Sequence, residues 1–142
     1  MTTVLVIDAQ GGKLGKQIVA QLRKSVPDLT ILAVGTNSAA TASMIKGGAD
    51  EAATGENAVV TAGRRADIIV GPVGICVADS MLGEITPKMA EAIGQSSAKR
   101  VLIPFNNCNT YVVGVQDLGI GRLVMEAVEK VREIAGAGSE SV

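Results

Sequence analysis

Apolar residues occur along this chain in short runs that alternate with longer amphipathic stretches. The run Val4–Ile7 consists of four β-forming residues and predicts a strand buried on both faces, as in a parallel sheet. The next stretch has an apolar residue at every fourth position and predicts a helix; these residues are Leu14, Ile18, Leu22 and Val26. The same alternation of strand and helix continues through the rest of the chain.

The later apolar runs predict further strands, and polar residues before the helices predict their caps. The strands are expected at 29–34, 49–53, 66–70, 100–104 and, as a hairpin partner or edge strand, 111–115. The expected caps are Asn37 or Ser38, Thr54 or Asn57, Thr86 followed by Pro87, and Asp117. The pattern predicts a three-layer Rossmann-like α/β fold, with a mainly parallel sheet in the order 3-2-1-4-5, the sixth strand at an edge, and helices on both faces.

The length of 142 residues suits one domain with a real core. We expect that domain to cover residues 1–135 and to be followed by a flexible tail at 136–142. Hydrophobic residues make up 47% of the chain, yet Phe105 and Tyr111 are the sole aromatics. This apolar excess in a small domain predicts a buried subunit interface, and hence a homo-oligomer.

Charge and composition exclude several classes of function. With 13 basic and 14 acidic residues, the sequence has no basic patch for nucleic acid. No apolar run reaches membrane length and no signal peptide precedes the first strand, so we expect a cytoplasmic protein without a membrane partner. Histidine is absent, which excludes serine-histidine and cysteine-histidine hydrolases. Cys76 and Cys108 form no C-x-x-C motif, and we expect no metal site.

A glycine-rich turn between the first strand and helix is the main candidate for a ligand site. Gly11, Gly12 and Gly15 lie there, and the free N–H groups that open the helix suit a phosphate. The pattern is Q-G-G-x-x-G, because Gln10 stands where a dinucleotide fingerprint has its first glycine. A Walker A loop fits worse, since Gln17 stands where Ser or Thr should hold magnesium. The alternative is that the glycines only allow the helix and strand to pack.

Two charged residues flank this turn. Asp8 ends the first strand, where a carboxylate repels phosphate; it is a candidate to bind a metal, meet a ribose hydroxyl, or cap the turn through local N–H groups. Lys13 opens the helix and is counted with Asp8 and Gln10 among the ligand-binding candidates. An enzyme on this scaffold would use Asp8, Lys13, Asp79 or Glu84, with Glu56 as a further acid or base.

Polar residues and glycines after three other strands extend the predicted crevice. They are Thr36, Asn37 and Ser38 after the second strand, Gly71 and Gly74 after the fourth, and Asn106, Asn107 and Asn109 after the fifth. The first group suits a ribose or a 2′-phosphate, although the acidic residue and the arginine typical of NAD and NADP sites are missing. The alternatives are a helix cap for the first group and a turn that satisfies itself for the asparagines, with Cys108 as a less favoured attacking thiol.

Segment 75–85 is longer than an ordinary loop and carries apolar residues at helix-like spacing. We interpret it as an extra helix, a lid or a subunit contact. Its polar members are Asp79, Ser80 and Glu84, for which solvation at the surface is the favoured role.

The order of these motifs resembles a small bacterial family known as domain of unknown function 3842. The motifs include V-I-D-A-Q-G-G-K-L-G-K-Q, A-V-G-T-N-S-A-A-T, A-D-I-I-V-G-P-V-G-I and A-D-S-M-L-G-E-I-T-P-K-M-A, and the resemblance spans nearly the whole chain. It implies a Rossmann-like cytoplasmic protein without an established activity. Members of that family commonly have Gly where this chain has Ala9, so the dinucleotide interpretation is weaker here. The loop also distantly resembles short-chain-dehydrogenase-like proteins, but Val115 stands where their Tyr-x-x-x-Lys pair would need a lysine after Tyr111.

Three hypotheses follow for function. The first is a binding protein or sensor for a nucleotide-like or phosphate-bearing small molecule, with NAD(P) as one candidate cofactor. The second is an enzyme of oxidoreductase or transferase type that acts on this ligand, with no catalytic residue identified. The third is an oligomeric regulatory or structural protein that binds no ligand.

Overall fold

The computed structural model describes residues 1–105 and 109–140, and its centre is a single parallel sheet. The strands are β1 (Thr2–Asp8), β2 (Leu29–Gly35), β3 (Glu51–Thr54), β4 (Ile68–Pro72) and β5 (Lys99–Ile103). Their spatial order is β3-β2-β1-β4-β5, and each neighbouring pair is parallel. The predicted strand order is therefore confirmed.

Helices cover both faces of this sheet. They are α1 (Lys13–Ser25), α2 (Ser38–Gly47), α3 (Glu56–Arg65), α4 (Pro87–Gln95) and α5 (Ile120–Glu140). Apolar residues of α1, α2 and α5 pack into one core cluster, whereas residues of α3 and α4 pack into a second. The fold is thus the predicted three-layer α/β arrangement.

The alternation of side chains along β1 explains why the sheet needs both layers. Val4 and Val6 belong to the first cluster, and Leu5 and Ile7 belong to the second. All four are fully buried. Because successive strand residues point to opposite faces, a continuous apolar run requires a cover on each side.

Two of the predicted helix caps are present and two are wrong. Asn37 accepts a hydrogen bond from the N–H of Ala40 at the start of α2, and Thr86 caps α4. Gly55, with a φ of 103°, occupies the cap position of α3 and no side chain caps this helix, so neither Thr54 nor Asn57 is its cap. Helix α5 begins at Ile120, too far along the chain for Asp117 to cap it.

The predicted sixth strand does not form. Residues 111–115 are irregular, and Gly114 turns the backbone there with a φ of 82°. Tyr111 is 93% exposed and Val113 is 97% exposed, so these β-forming side chains have no core to enter. At the chain's end, α5 continues to Glu140, past the point where the tail was expected to begin.

Segment 75–85 is also not the helix that its spacing suggested. A short 3-10 turn, Val73–Cys76, follows β4, and a series of turns leads from there to α4. Asp79, Met81 and Leu82 have φ values of 66°, 55° and 58°. A right-handed helix excludes positive φ, so a compact loop buries Ile75, Met81 and Ile85 and leaves Leu82 exposed.

Candidate functional site

The turns after β1 and β2 lie side by side at the carboxyl edge of the sheet. The N–H of Thr36 donates to the carbonyl of Asp8 at 3.1 Å, and Nδ2 of Asn37 donates to the carbonyl of Gln10 at 3.0 Å. The strand order reverses beside β1, which is where ligands bind in open α/β sheets. The structure thus brings two of the predicted clusters together at this edge.

Asp8 has the capping role among its predicted alternatives. Its carboxylate is buried and accepts hydrogen bonds from the N–H groups of Ala9 at 2.8 Å and Gly15 at 2.7 Å. Burial raises the pKa of Asp8, and the two backbone hydrogen bonds only partly oppose this effect. The nearby negative charge of Glu84 raises the pKa of Asp8 further.

The three glycines of the first turn have different surroundings. A Cβ added at Gly12 would lie 2.7 Å from Cα of Ala40, and one at Gly15 would lie 2.7 Å from Sδ of Met44. These two glycines let α1 approach α2 and β1, as the packing alternative predicts. A Cβ at Gly11 would meet no atom of residues 1–105 or 109–140 within 4 Å, apart from its own chain neighbours. Of the three, Gly11 is the one that faces open space.

The glycines after β4 also serve packing. A Cβ at Gly71 would lie 2.6 Å from the carbonyl oxygen of Ile7, and one at Gly74 would lie 3.3 Å from Cε of Met81. Both glycines are buried. Protein atoms therefore occupy the space that the sequence analysis assigned to a ligand at these two positions.

The start of α1 carries backbone N–H donors that no described part of the chain accepts from. Among the residues that the structure describes, no acceptor is present for the N–H groups of Gly11, Lys13 and Leu14. These residues line a cavity of about 280 Å³, together with Pro72, Met81, Phe105 and the rest of the turn from Asp8 to Leu14. The positive end of the helix dipole and free N–H groups at a cavity suit an anion.

Larger cavities lie away from the predicted site, among them one of about 380 Å³ between α3 and α4 and two others. One of about 460 Å³ lies between β5, the residues around Gln116 and α5. The other, of about 820 Å³, is lined by Thr2, Leu29 and Ile68 and so lies at the amino ends of the strands. The small cavity is the better candidate site because it lies at the carboxyl edge and contains N–H donors with no acceptor among the described residues.

Glu84 is the site residue whose position the sequence analysis missed. Its Oε1 atom accepts hydrogen bonds from the N–H of Gln10 at 2.8 Å, from Oγ1 of Thr36 at 2.6 Å and from Nδ2 of Asn37 at 2.8 Å. Solvation at the surface was therefore the wrong prediction for Glu84. Partial burial by itself would raise the pKa of Glu84, but the three hydrogen bonds outweigh it and hold that pKa below its usual value.

The remaining predicted residues are placed as follows. Ser80 is buried and donates a hydrogen bond to the carbonyl of Gly74, so it too is not a solvated surface residue, whereas Asp79 is exposed. Lys13 and Ser38 are exposed at the starts of α1 and α2. Asn109 is exposed with a φ of 62°. The predicted residues Asn106 and Asn107, with Cys108, lie outside the described part of the chain.

Residues 1–105 and 109–140 contain neither a metal-ligand cluster nor a membrane-spanning helix. No three Cys, Asp or Glu side chains of this part lie close enough together to hold a metal ion. None of its helices combines the length and apolar character that crossing a bilayer requires.

Comparison with known proteins identifies a family and solved structures with a distantly similar fold. The model of the family described as "Domain of unknown function (DUF3842)" matches residues 3–136. No curated protein matches the chain. A solved structure, a dodecameric FMN-dependent Ubix-like decarboxylase from Escherichia coli O157:H7, is 19% identical over 92% of this chain and 75% of that chain, with a TM-score of 0.45. A similarity at this level supports no conclusion about the ligand or the assembly of this protein.

Proposed function

The chain belongs to this family of unknown function, and we propose that it binds a small molecule with a phosphate group at the turn between β1 and α1. The observation that supports the proposal is the set of backbone N–H groups of Gly11, Lys13 and Leu14, which have no acceptor among the described residues. They lie at the positive end of α1 and beside a cavity. A phosphate would accept these hydrogen bonds, and the exposed Lys13 would add a positive charge nearby.

The size of the cavity favours a compact ligand. Its volume of about 280 Å³ is just below the range of roughly 300–1,000 Å³ that is typical of small-molecule sites. A phosphosugar or a mononucleotide is therefore the favoured class. NAD(P) is the larger alternative, and most of it would extend beyond the cavity along the ends of β1 and β2.

The geometry favours binding over catalysis. Both oxygens of Asp8 accept backbone hydrogen bonds, and Oε1 of Glu84 accepts three hydrogen bonds. A general acid or base needs to face the reacting atom, and these contacts direct both carboxylates to donors of the protein. The raised pKa of Asp8 is the observation that supports an enzyme as the second candidate function.

Thermal unfolding in the presence of candidate ligands tests the binding proposal. The panel contains AMP, ATP, NAD, NADP, FMN and ribose 5-phosphate. A ligand at a hundred times its dissociation constant adds about 2.7 kcal/mol to the free energy of unfolding. For a domain of this size we expect the unfolding temperature to rise by about 8 °C.

A negative charge introduced at Gly11 distinguishes a ligand-binding turn from a turn whose glycines only allow packing. Gly11→Asp should preserve the fold, because a Cβ there meets none of the described residues within 4 Å, and should abolish the ligand-induced rise by repelling phosphate. Gly94→Asp is the matched control, since its Cβ also meets no atom and it lies on α4. The proposal fails if no phosphate compound raises the unfolding temperature, or if Gly11→Asp responds as the wild type does.

We also propose that the protein assembles with copies of itself through the apolar residues that follow β5. Tyr111, Val112, Val113 and Val115 are all exposed, and side chains of this kind lose contact with water when subunits meet. Light scattering after gel filtration should give a mass above that of a single chain, and Val113→Ser should lower it. Leu82→Ser is the control, because Leu82 is as exposed as Val113 but lies in another loop. A single-chain mass at all concentrations would contradict this proposal.

A further inference from the structure

Three donors from two different turns converge on a single oxygen atom, Oε1 of Glu84. They are the N–H of Gln10, the hydroxyl of Thr36 and the amide of Asn37, at distances between 2.6 and 2.8 Å. We infer that these three donors form an oxyanion subsite for a phosphate or carboxylate group of the ligand, and that Glu84 is a built-in competitor for it. The inference rests on the proposed function, because the subsite adjoins the same turn.

Two of the three donor residues, Thr36 and Asn37, are held in place by contacts that do not involve Glu84. The N–H of Thr36 donates to the carbonyl of Asp8 at 3.1 Å. Oδ1 of Asn37 accepts from the N–H of Ala40 at 2.9 Å, and this capping bond turns Nδ2 of Asn37 toward the crevice. A site whose donors are fixed beforehand loses little entropy when it binds an anion. The subsite therefore stays formed when the carboxylate leaves.

Exchange requires only a rotation of the Glu84 side chain. Within the described part of the chain, Oε1 accepts every hydrogen bond to the Glu84 carboxylate, and the residue is partly exposed. The backbone of this loop is anchored separately, because Met81 is buried and Ser80 donates to the carbonyl of Gly74. Glu84 can thus give way to another oxyanion while the loop keeps its position.

The charges around the subsite explain why this competition would control affinity. Glu84 and Asp8 are close enough for one charge to raise the pKa of the other carboxyl group. An anion that enters beside both carboxylates is repelled by both, and a rotation of Glu84 toward solvent removes the nearer repulsion. The observed affinity for a ligand is therefore lower than the affinity of the subsite itself, because binding also has to displace Glu84.

The experiment uses inorganic phosphate as the probe and measures its apparent dissociation constant from the rise in unfolding temperature at constant ionic strength. Glu84→Ala removes the competitor, and we expect phosphate to bind about tenfold or more tightly than to the wild type. Adding Thr36→Val to this variant should reverse the gain, because one of the three donors is lost. Glu91→Ala on α4 is the control for a lost negative charge elsewhere and should bind phosphate as the wild type does.

A second variant covers the case in which Glu84→Ala does not fold. Glu84→Gln keeps an acceptor for the three donors but removes the charge, so the gain should be smaller and in the same direction. Unchanged or weaker phosphate binding in a folded variant would overturn the inference. If the wild type binds a nucleotide and neither variant gains affinity, the inference alone fails. If the wild type binds no compound of the panel but Glu84→Ala binds phosphate, the proposed function fails and the subsite stands.

Discussion

The hydroxyl of Thr36 donates a 2.6 Å hydrogen bond to the carboxylate of Glu84, which follows it by 48 residues in the chain. This contact ties the loop after β4 to the end of β2, across the point where the strand order reverses. The same carboxylate oxygen also accepts from the N–H of Gln10, in the turn after β1. Glu84 therefore joins the ends of all three strands at the candidate site.

Replacing Glu84 with Gln should destabilise the protein at neutral pH. In acid the destabilisation should be smaller. The pKa of Glu84 lies below 4.5 in the folded protein, so its charge contributes stability that is complete above pH 4.5. That contribution is lost as the pH falls through the lower folded pKa. The difference in unfolding free energy between the wild type and Glu84→Gln, from urea titrations at several pH values, should shrink below pH 4.5. A difference that stays constant with pH would contradict this assignment.

Removing the carboxylate of Asp8 should destabilise the turn before α1. In Asp8→Ala the N–H groups of Ala9 and Gly15 lose their acceptors, at a cost of about 2–4 kcal/mol in unfolding free energy. Asp8→Asn keeps one acceptor oxygen and should lose roughly half as much. Urea denaturation of the three proteins at one pH measures both effects. Equal stability of Asp8→Ala and the wild type would mean that these hydrogen bonds contribute nothing.

The contribution of Asp8 to stability should change with pH in the direction opposite to that of Glu84. The folded protein raises the pKa of Asp8 above 3.8, so it binds the proton more tightly than the unfolded chain does. The wild type should therefore lose stability relative to Asp8→Asn as the pH rises from 3.8 to the higher folded pKa. Thermal unfolding of the two proteins over this acidic range provides the measurement. If the wild type instead became more stable relative to Asp8→Asn with rising pH, the folded protein would lower the pKa of Asp8.

Two neighbouring glycines should respond differently to the same substitution. Gly12→Ala places a Cβ 2.7 Å from Cα of Ala40 at a residue whose φ is 73°, so we expect a loss of about 2–4 kcal/mol. Gly11→Ala meets no protein atom and should stay within about 0.5 kcal/mol of the wild type. Denaturant titrations of both variants test the contrast. Equal losses would mean that the turn is not packed against α2 as the structure shows.

The cap of α4 offers a local test with a matched control. Oγ1 of Thr86 accepts from the N–H of Met89 at 3.2 Å and donates to Glu56 at 2.6 Å, so it also ties α4 to α3. Thr86→Ala loses both contacts and should cost about 1–2 kcal/mol. Thr86→Ser keeps the hydroxyl and should be close to the wild type in thermal unfolding. A loss in Thr86→Ser as large as that in Thr86→Ala would assign the effect to the methyl group instead.

Local patterns predicted the elements of the sheet and its helices because burial imposes a regular spacing. The run Val4–Ile7 is a strand covered on both faces, and Asn37 and Thr86 cap helices through bonds to residues three positions away. The proximity of the Gly11 turn to Thr36 was also predictable, since parallel neighbouring strands end at the same edge. Whether these residues bind a ligand stays a prediction.

The errors arose where local preference and tertiary contact disagree. Tyr111 and Val113 have strand propensity, but a strand also needs a hydrogen-bonding neighbour, and Gly114 turns the chain there. Met81 and Leu82 have helix-like spacing but positive φ, which only the surrounding loop can impose.

The sequence by itself determined the strand order, the helices on both faces and the turns that meet at the carboxyl edge, because these follow from periodicity and from the handedness of parallel connections. Tertiary structure alone decided the position of Glu84, since its partner Gln10 is 74 residues away and no local signal links them. It also decided which glycines pack and which face open space, because only the approach of Ala40 and Met44 distinguishes Gly12 and Gly15 from Gly11.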